Sequence, residues 1–204
     1  MSIENRPSKI RSLLPLVWAG LFMLVGILIL IYIGRDQARL MHAQLDDIEL
    51  IPLLNTEETP TIESLKDKIV VFHFWGPWSE DCRESFPRFV DVYQRFSSNP
   101  QIAFLSVCCS PGTESDVENL KQDASAYLGS LGFEMPTYAD PAMYTRGKIT
   151  RMLASGGFGY PFTMVADRHG MVVGYWLDAK PGSMKEFEKV VERLVEKENL
   201  DLSR

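Results

Sequence analysis

The sequence has few cysteines and no concentrated positive charge. Three cysteines among 204 residues are too few for a disulfide-based scaffold, and an odd number leaves at least one thiol unpaired within the chain. The formal net charge is −6, and the basic residues form no cluster outside the first eleven positions. Because nucleic-acid binding depends on a positively charged surface, we expect no nucleic-acid partner. We also expect no metal and no other cofactor.

Hydrophobic sequence, by contrast, is abundant. Hydrophobic residues make up 46% of the chain and charged residues 24%, which is enough for one domain of ordinary size and an additional segment. That segment is the 21-residue stretch from Leu13 to Ile33, which carries no charge. At 1.5 Å per residue, a helix of this length spans the roughly 30 Å core of a bilayer. Residues 13–33 are therefore predicted to form a single transmembrane helix.

The residues around this stretch predict its orientation. Arg6 and Lys9 are among the basic residues that precede it, so the positive-inside rule favours a cytoplasmic N-terminus over residues 1–12. No lipobox cysteine is present and no small-x-small cleavage site closely follows the apolar run, which argues against a removed signal peptide. We expect residues 34–47 to be a spacer and residues 48–199 to form a domain on the extracytoplasmic (periplasmic) side of the cell membrane.

A strand, a tight turn and a helix follow one another at the start of this domain. Ile69–Trp75 is a β-branched and aromatic run that is typical of a buried strand, and Gly76-Pro77 ends it. Ser79 is a favourable N-cap for the next helix, which places Cys82 in the first helical turn. The partial positive charge at a helix N-terminus favours a thiolate at that position.

This turn segment resembles the active-site motif of thioredoxin-fold proteins. It is most similar to the membrane-anchored thiol–disulfide oxidoreductases of the TlpA/ResA type, whose motif is W-x-x-W-C-x-x-C. Trp75, Trp78, Cys82 and Pro87 match that group in residue type and spacing, but Ser79 stands where the group has its attacking cysteine. The resemblance implies an α/β thioredoxin fold, in which helices flank a central mixed sheet.

The rest of the domain agrees with the fold that the resemblance implies, over roughly residues 48–197. A second buried strand is predicted at residues 102–107, and an entry hairpin at residues 46–54. Two strands joined by a Gly-containing turn predict a hairpin within residues 160–176. The alternation of strands and helices indicates a parallel α/β core.

Two further helices have capping-box sequences at their predicted starts. Ser115 precedes a helix that we expect to run through Leu131, and Ser183 precedes the last helix of the chain. Each serine is followed three residues later by glutamate.

The Ser79 substitution limits the function that the resemblance implies. Thiol–disulfide exchange needs one thiolate to attack and a second thiol to resolve the mixed disulfide. A serine is a poor nucleophile at neutral pH without a dedicated base. Cys82 occupies the resolving position of the motif, so ordinary dithiol activity through this motif is excluded.

Three other residues are candidates for chemistry with Cys82. His73 lies two residues before Trp75, where thioredoxins often place a buried ionisable group, and a Cys–His pair would favour a thiolate. The alternative is a core histidine that is hydrogen-bonded to the backbone. Cys108 and Cys109 follow the second strand, and only one of them can face the motif helix. From its register with Phe104 and Ser106 we expect that residue to be Cys108.

An aromatic groove is predicted beside the motif. In the thioredoxin fold, a cis proline faces the active-site turn and the neighbouring backbone pairs with an extended substrate, and Pro161 matches that position. The substrate-binding candidates are Trp75, Trp78, Tyr160 and Pro161. Apolar concave surfaces of this kind bind peptides or small ligands.

Three functions remain open at this point. The first is a membrane-anchored protein that binds an extended polypeptide at the Pro161 groove and has lost ordinary dithiol activity. The second is a thiol oxidoreductase, acting on a protein thiol partner, that uses Cys82 with Cys108 or Cys109. The third is a one-cysteine peroxide-reducing enzyme that uses Cys82 with His73.

Overall fold

The computed structural model of the protein describes residues 18–29, 40–112, 116–153, 157–177 and 180–202. Along the chain these residues form the following helices and strands: α1 (18–29), β1 (Ile51–Leu54), α2 (Ile62–Leu65), β2 (Ile69–Trp75), α3 (Glu80–Phe96), β3 (Ile102–Cys108), α4 (Val117–Ser130), β4 (Thr137–Ala139), α5 (Tyr144–Met152), β5 (Phe162–Ala166), β6 (Val172–Trp176) and α6 (Pro181–Leu202).

Six strands form one sheet in the order β1-β4-β3-β2-β5-β6. β3 pairs in parallel with β2 and with β4, whereas the other pairs are antiparallel. The sheet is therefore mixed, and the predicted parallel core and C-terminal hairpin are confirmed. β2 lies inside the sheet and all seven of its residues are buried, which explains why its sequence is apolar except for His73.

Side chains that alternate along β2 pack into two cores, one on each side of the sheet. The first core joins Trp75 of β2 to Phe86 and Phe89 of α3. The second core joins Phe74 of β2 to Ile149 of α5. Full burial of one phenylalanine contributes roughly 1.5–3 kcal/mol, so the two fully buried phenylalanines of α3 are a large part of what holds this helix on the sheet.

Two helices begin at residues other than those predicted. The N-cap of α4 is Asp116, whose carboxylate accepts hydrogen bonds from two backbone N–H groups at 3.0 and 3.2 Å. Ser115, the predicted cap, lies outside the described residues. α6 begins at Pro181, ahead of the predicted cap Ser183. Proline suits a first helical turn because its missing N–H would have had no partner there.

The chain already packs against the domain at Leu40. The predicted start of the domain is residue 48. Leu40 is fully buried in the second core. The backbone N–H of His42 donates to the carbonyl of Val172 at 2.8 Å, so this segment lies along β6. The hairpin predicted at residues 46–54 is absent among the described residues, because β1 pairs instead with β4.

The N-terminal helix α1 exposes apolar side chains, including Trp18, Phe22 and Met23. Among the described residues, no helix combines the length and the hydrophobicity that a membrane span requires. Residues 13–17 and 30–33 of the predicted transmembrane helix lie outside the described residues. So do the predicted cytoplasmic residues 1–12 and part of the predicted spacer, residues 34–39.

Candidate functional site at the β2–α3 turn

The turn between β2 and α3 holds Ser79 at the start of the helix. The backbone N–H of Ser79 donates to the carbonyl of Gly76 at 3.1 Å and closes the turn. The Ser79 hydroxyl accepts a hydrogen bond from the backbone N–H of Cys82 at 3.3 Å. Ser79 is therefore the N-cap of α3, as predicted, and its hydroxyl stabilises the helix start.

The thiol of Cys82 is buried beneath this turn, with 1% of the residue exposed. Burial raises the pKa of the Cys82 thiol, and this effect outweighs hydrogen bonds from Ser79 and Gly76 that lower it. The charges of Asp81 and Arg83 act in opposite directions and more weakly. The thiol is therefore protonated at neutral pH, and the partial charge of the helix N-terminus does not produce a thiolate.

His73 is fully buried on β2 and has a different partner from the one predicted. Its Nδ1 lies 2.9 Å from the hydroxyl oxygen of Thr163, and its ring stacks on Phe89 with the centroids 3.9 Å apart. Its Nε2 has no hydrogen-bond partner within the described part of the chain. Burial lowers the pKa of His73 to about 3, so the ring is neutral at physiological pH. The sequence left two alternatives for His73, a pair with Cys82 or a hydrogen bond to the backbone. The structure shows a third arrangement, in which the partner is the side chain of Thr163.

Cys108 and Cys109 lie on opposite sides of the sheet, as expected for successive residues of a strand. Cys108 belongs to the first core together with Cys82, and Cys109 belongs to the second. All three cysteines are free thiols. Burial raises the pKa of Cys108 well above its ordinary value and that of Cys109 to about 12. Cys108 thus lies on the side of the sheet that its register predicts, as a buried and protonated thiol.

An exposed aromatic surface lies next to these buried thiols. Trp78 is 42% exposed, and its indole N–H donates to the carbonyl of Cys109 at 2.8 Å. The ring of Trp78 packs edge to face against Tyr160, with the centroids 5.3 Å apart. The Tyr160–Pro161 peptide bond is cis. The rings of Trp78 and Tyr160 therefore adjoin each other beside the turn, and we call the surface that they share the Trp78–Tyr160 groove.

Trp75, which the sequence also indicated as a substrate-binding residue, is not part of the exposed groove. It is fully buried in the first core, and its indole N–H donates to the hydroxyl of Ser106 at 2.8 Å. The side chains of Trp75 and Trp78 separate because the strand ends between them. Trp75 supports the turn from below, and only Trp78 faces solvent.

Gly76 makes room for the indole of Trp78. A Cβ atom at position 76 would overlap that indole and would lie 2.8 Å from the carbonyl oxygen of Cys109. Any larger residue must therefore displace the Trp78 ring from its hydrogen bond. Gly76, which ends the strand, is therefore also needed for the position of the Trp78 ring in the groove.

The sequence did not indicate two buried charged residues that adjoin the groove. Arg146 and Asp140 are 3% and 2% exposed, and Nη1 of Arg146 donates to the Tyr160 hydroxyl at 2.6 Å. An arginine within a helix pattern is ordinarily a surface residue. One sequence feature could have indicated Asp140: it directly follows β4. Parallel strands bring their carboxyl ends to the same edge of the sheet, so a residue at that position lies near the ends of β2 and β3.

The site therefore combines an aromatic surface with thiols that are not ionised at neutral pH. Trp78 is exposed, Tyr160 is partly exposed, and the neighbouring thiols are buried and protonated. Among the described residues, no group of three or more His, Cys, Asp and Glu side chains is placed to hold a metal ion.

Comparison with known proteins identifies the fold. The structure is similar to a candidate protein disulfide isomerase from Bacteroides thetaiotaomicron, with a TM-score of 0.61, 18% identity, and coverage of 76% of this chain and 90% of that one. It is also similar to a DsbF homologue from Corynebacterium diphtheriae, with a TM-score of 0.58, 22% identity, and coverage of 74% and 87%. A secreted thiol-disulfide isomerase from Corynebacterium glutamicum gives a TM-score of 0.56, 20% identity, and coverage of 75% and 86%.

These similarities establish a thioredoxin-like fold, an α/β arrangement in which helices flank a mixed sheet. No protein-family model and no curated protein matches the sequence.

Proposed function

We propose that this chain is a membrane-anchored, extracytoplasmic member of the thiol–disulfide oxidoreductase superfamily that binds an extended polypeptide and lacks ordinary dithiol activity. The main support for this proposal is that the β2–α3 turn has lost its attacking thiol but keeps an exposed aromatic residue. Ser79 caps the helix at the attacking position, while Trp78 remains exposed beside Tyr160. The structural neighbours named as disulfide isomerases support a protein or protein thiol as the partner class.

The loss of dithiol exchange follows from the state of the thiols. Exchange begins with an accessible thiolate, and its rate depends on the thiolate fraction and on access. Cys82 is buried and its pKa is raised, so it meets neither condition. The Ser79 hydroxyl accepts a backbone hydrogen bond and has no base beside it that the structure defines.

The binding role follows from the Trp78–Tyr160 groove. Aromatic rings supply large apolar contact areas, and the polar atoms of tyrosine and tryptophan tolerate a partly wet surface. An extended chain beside the Tyr160–Pro161 backbone would place alternate side chains over the Trp78 ring. Trp78 needs no rearrangement to accept it, because its indole is already fixed by the Cys109 carbonyl.

The membrane anchor is proposed from the N-terminal sequence and from α1. Residues 13–33 carry no charge, and the described part of this stretch exposes its apolar side chains. An exposed apolar helix of this kind needs a nonpolar surrounding. A single pass through the cell membrane with residues 1–12 in the cytoplasm would place the thioredoxin-like domain in the periplasm.

A binding measurement on the full chain in detergent tests the proposed function. The probe is reduced and carboxymethylated insulin B chain, an extended polypeptide without free thiols, and the readout is fluorescence anisotropy of the labelled probe. We expect the parent to bind it and Trp78→Ala to bind about tenfold more weakly or worse, as for a central aromatic anchor. The control is Tyr144→Ala, since Tyr144 is also an exposed aromatic residue at 38% but lies outside the groove. Equal binding by all three proteins would contradict the proposal.

A second candidate function, thiol exchange through Cys82 and Cys108, is favoured by one observation: the two residues share the first core. Treatment with oxidised glutathione would then give a Cys82–Cys108 disulfide and two molecules of reduced glutathione. Peptide mass mapping would detect that disulfide. Cys109 lies on the other side of the sheet, and peroxide chemistry through Cys82 and His73 has no comparable support.

A further inference from the structure

A buried ion pair beneath the groove has no role in the function proposed so far. Arg146 in α5 binds Asp140 through three hydrogen bonds. Its backbone N–H and its Nε donate to Oδ2 at 2.8 and 3.3 Å, and Nη2 donates to the Asp140 carbonyl at 2.9 Å. Both side chains are almost completely removed from solvent.

Stability alone does not explain this pair. Removing two charges from water is costly, and a well-packed apolar pair often stabilises a fold at least as well as a buried ion pair. The pair also leaves Oδ1 of Asp140 without a partner among the described residues, which adds to the cost. One guanidinium donor, Nη1, is directed away from Asp140 and donates to the Tyr160 hydroxyl at 2.6 Å.

Tyr160 connects this guanidinium to the exposed surface. Its hydroxyl accepts the hydrogen bond from Arg146, while its ring packs edge to face against Trp78 and against Phe158. The Trp78 indole has a second restraint, because its N–H donates a hydrogen bond to the Cys109 carbonyl. A continuous series of contacts therefore runs from α5 through the Tyr160 hydroxyl to the Trp78 ring.

We infer that Arg146 is a positioning residue for the Trp78–Tyr160 groove. Asp140 holds the guanidinium, the guanidinium fixes the Tyr160 hydroxyl, and the Tyr160 ring in turn holds Trp78 in the orientation that receives a polypeptide. Fixing both rings before binding removes part of the ordering cost that binding would otherwise incur. The expected effect on polypeptide binding rests on the proposed function. The structural part of the inference, that Arg146 controls the orientation of Trp78, does not depend on it.

Fluorine NMR of the full chain labelled with 5-fluorotryptophan tests the structural part. The chain has four tryptophans, and a Trp78→Phe variant identifies the Trp78 resonance. In Arg146→Met and in Tyr160→Phe, we expect the Trp78 resonance to shift or broaden while the resonances of Trp75 and Trp176 stay in place. The matched control is Arg151→Met, the same change at an exposed position of the same helix, which should leave all four resonances unchanged.

An unmoved Trp78 resonance in the folded variants would overturn the inference. If Arg146→Met does not fold, Tyr160→Phe decides alone, because it removes only the hydroxyl that the guanidinium holds.

The binding part is tested with the carboxymethylated insulin B chain. Arg146→Met and Tyr160→Phe should each weaken binding about tenfold, since each removes the same charge-assisted hydrogen bond. The double variant should bind no more weakly than either single variant, because Arg146 acts through Tyr160. Losses that multiply in the double variant would mean that Arg146 acts through general stability, and would overturn the inference. A parent that does not bind the probe would refute the proposed function, while the fluorine spectra would still decide the role of Arg146.

Discussion

A thiol in the first turn of a helix experiences two opposing effects. The partial charge of the helix N-terminus favours the thiolate by about 0.3–1 kcal/mol at a surface and by up to about 2 kcal/mol in partly buried sites. Burial of a titratable group can shift its pKa by about 3–5 units, each worth 1.36 kcal/mol, in favour of the neutral form. Cys82 is 1% exposed, so burial is the larger effect and the pKa is raised.

Cys82 should therefore react slowly with iodoacetamide. We expect the folded protein at pH 7.5 to be alkylated at Cys82 at least about tenfold more slowly than glutathione, because the thiol is both covered and protonated. Peptide mass mapping over time measures the rate at this residue. The same residue in urea-unfolded protein should react like glutathione. A folded-state rate equal to that of glutathione would show that Cys82 is an accessible thiolate.

Burial also determines the behaviour of His73, with the opposite direction of shift. Its pKa falls from 6.5 in a model peptide to about 3 in the folded protein, because the charged form is poorly solvated in the core. A group with a lowered folded pKa contributes stability above its unfolded pKa and loses it as pH falls through the folded pKa. His73 should therefore destabilise the fold between pH 6.5 and about 3, by an amount on the order of 4–5 kcal/mol in total.

Urea unfolding at pH 7, 6, 5 and 4 measures this loss. The parent should lose stability as pH falls, and His73→Asn should show a slope smaller by up to about 1.4 kcal/mol per pH unit, the value for one proton. His169→Asn, the same exchange at an exposed histidine, is the matched control. The same slope in the parent and in His73→Asn would contradict a neutral, buried His73.

At the scale of elements, the site depends on how β2 ends. The strand carries Trp75 into the first core, and the chain then turns within four residues so that α3 begins at Glu80. The space for Trp78 exists because Gly76 has no side chain. The position of Trp78 is therefore a property of the turn, while Tyr160 is contributed by the segment that precedes β5.

Gly76→Ala should disrupt the groove while leaving the fold intact. The added methyl group would overlap the Trp78 indole and lie 2.8 Å from the Cys109 carbonyl oxygen, so the indole must leave its hydrogen bond. We expect greater acrylamide quenching of Trp78 and weaker binding of the insulin B chain. Gly129→Ala is the control, because a methyl group there meets no atom within 4 Å and alanine favours a helix by roughly 0.5–1 kcal/mol. Unchanged quenching in Gly76→Ala would show that the indole does not depend on Gly76.

The elements differ in how well the sequence predicts them. The β2–α3 turn was predictable because a buried strand, a break and a serine cap follow one another within one local segment. The start of α4 was misplaced because Ser115 and Asp116 are adjacent caps of similar strength, and only the folded backbone selects Asp116. The pairing of Arg146 with Asp140 was not predictable, because no residue pattern indicates which helix arginine turns inward. Trp75 and Trp78 looked equivalent in sequence, and their burial separates them only once α3 is in place.

At the scale of the whole molecule, the segment before the domain is short. Residues 34–39 separate the proposed membrane span from Leu40, which is buried in the second core. Six fully extended residues reach at most about 21 Å. A proposed anchor at residues 13–33 would therefore hold the domain within about that distance of the membrane surface.

The orientation of the proposed anchor can be measured with reporter fusions. Alkaline phosphatase fused after Arg204 should be active, because it folds only outside the cytoplasm and the basic residues before position 13 favour a cytoplasmic N-terminus. Green fluorescent protein fused at the same position through the general secretory route should be dark. Fluorescence together with an inactive phosphatase would contradict both the orientation and the periplasmic location.

The central proposal is that a polypeptide-binding thioredoxin-like domain is inactive in disulfide reduction because Ser79 replaces the attacking thiol. Insulin reduction by the full chain and by its Ser79→Cys variant tests this most directly, with Ser79→Ala as the control that removes the hydroxyl without adding a thiol. We expect no turnover by the parent or by Ser79→Ala, and a rate at least about a hundredfold higher for Ser79→Cys, since a restored nucleophile recovers part of what its loss costs an enzyme. Helix capping by serine is worth about 1 kcal/mol, so the variant should still fold. A parent as active as Ser79→Cys, or a folded Ser79→Cys variant with no activity, would contradict the proposal.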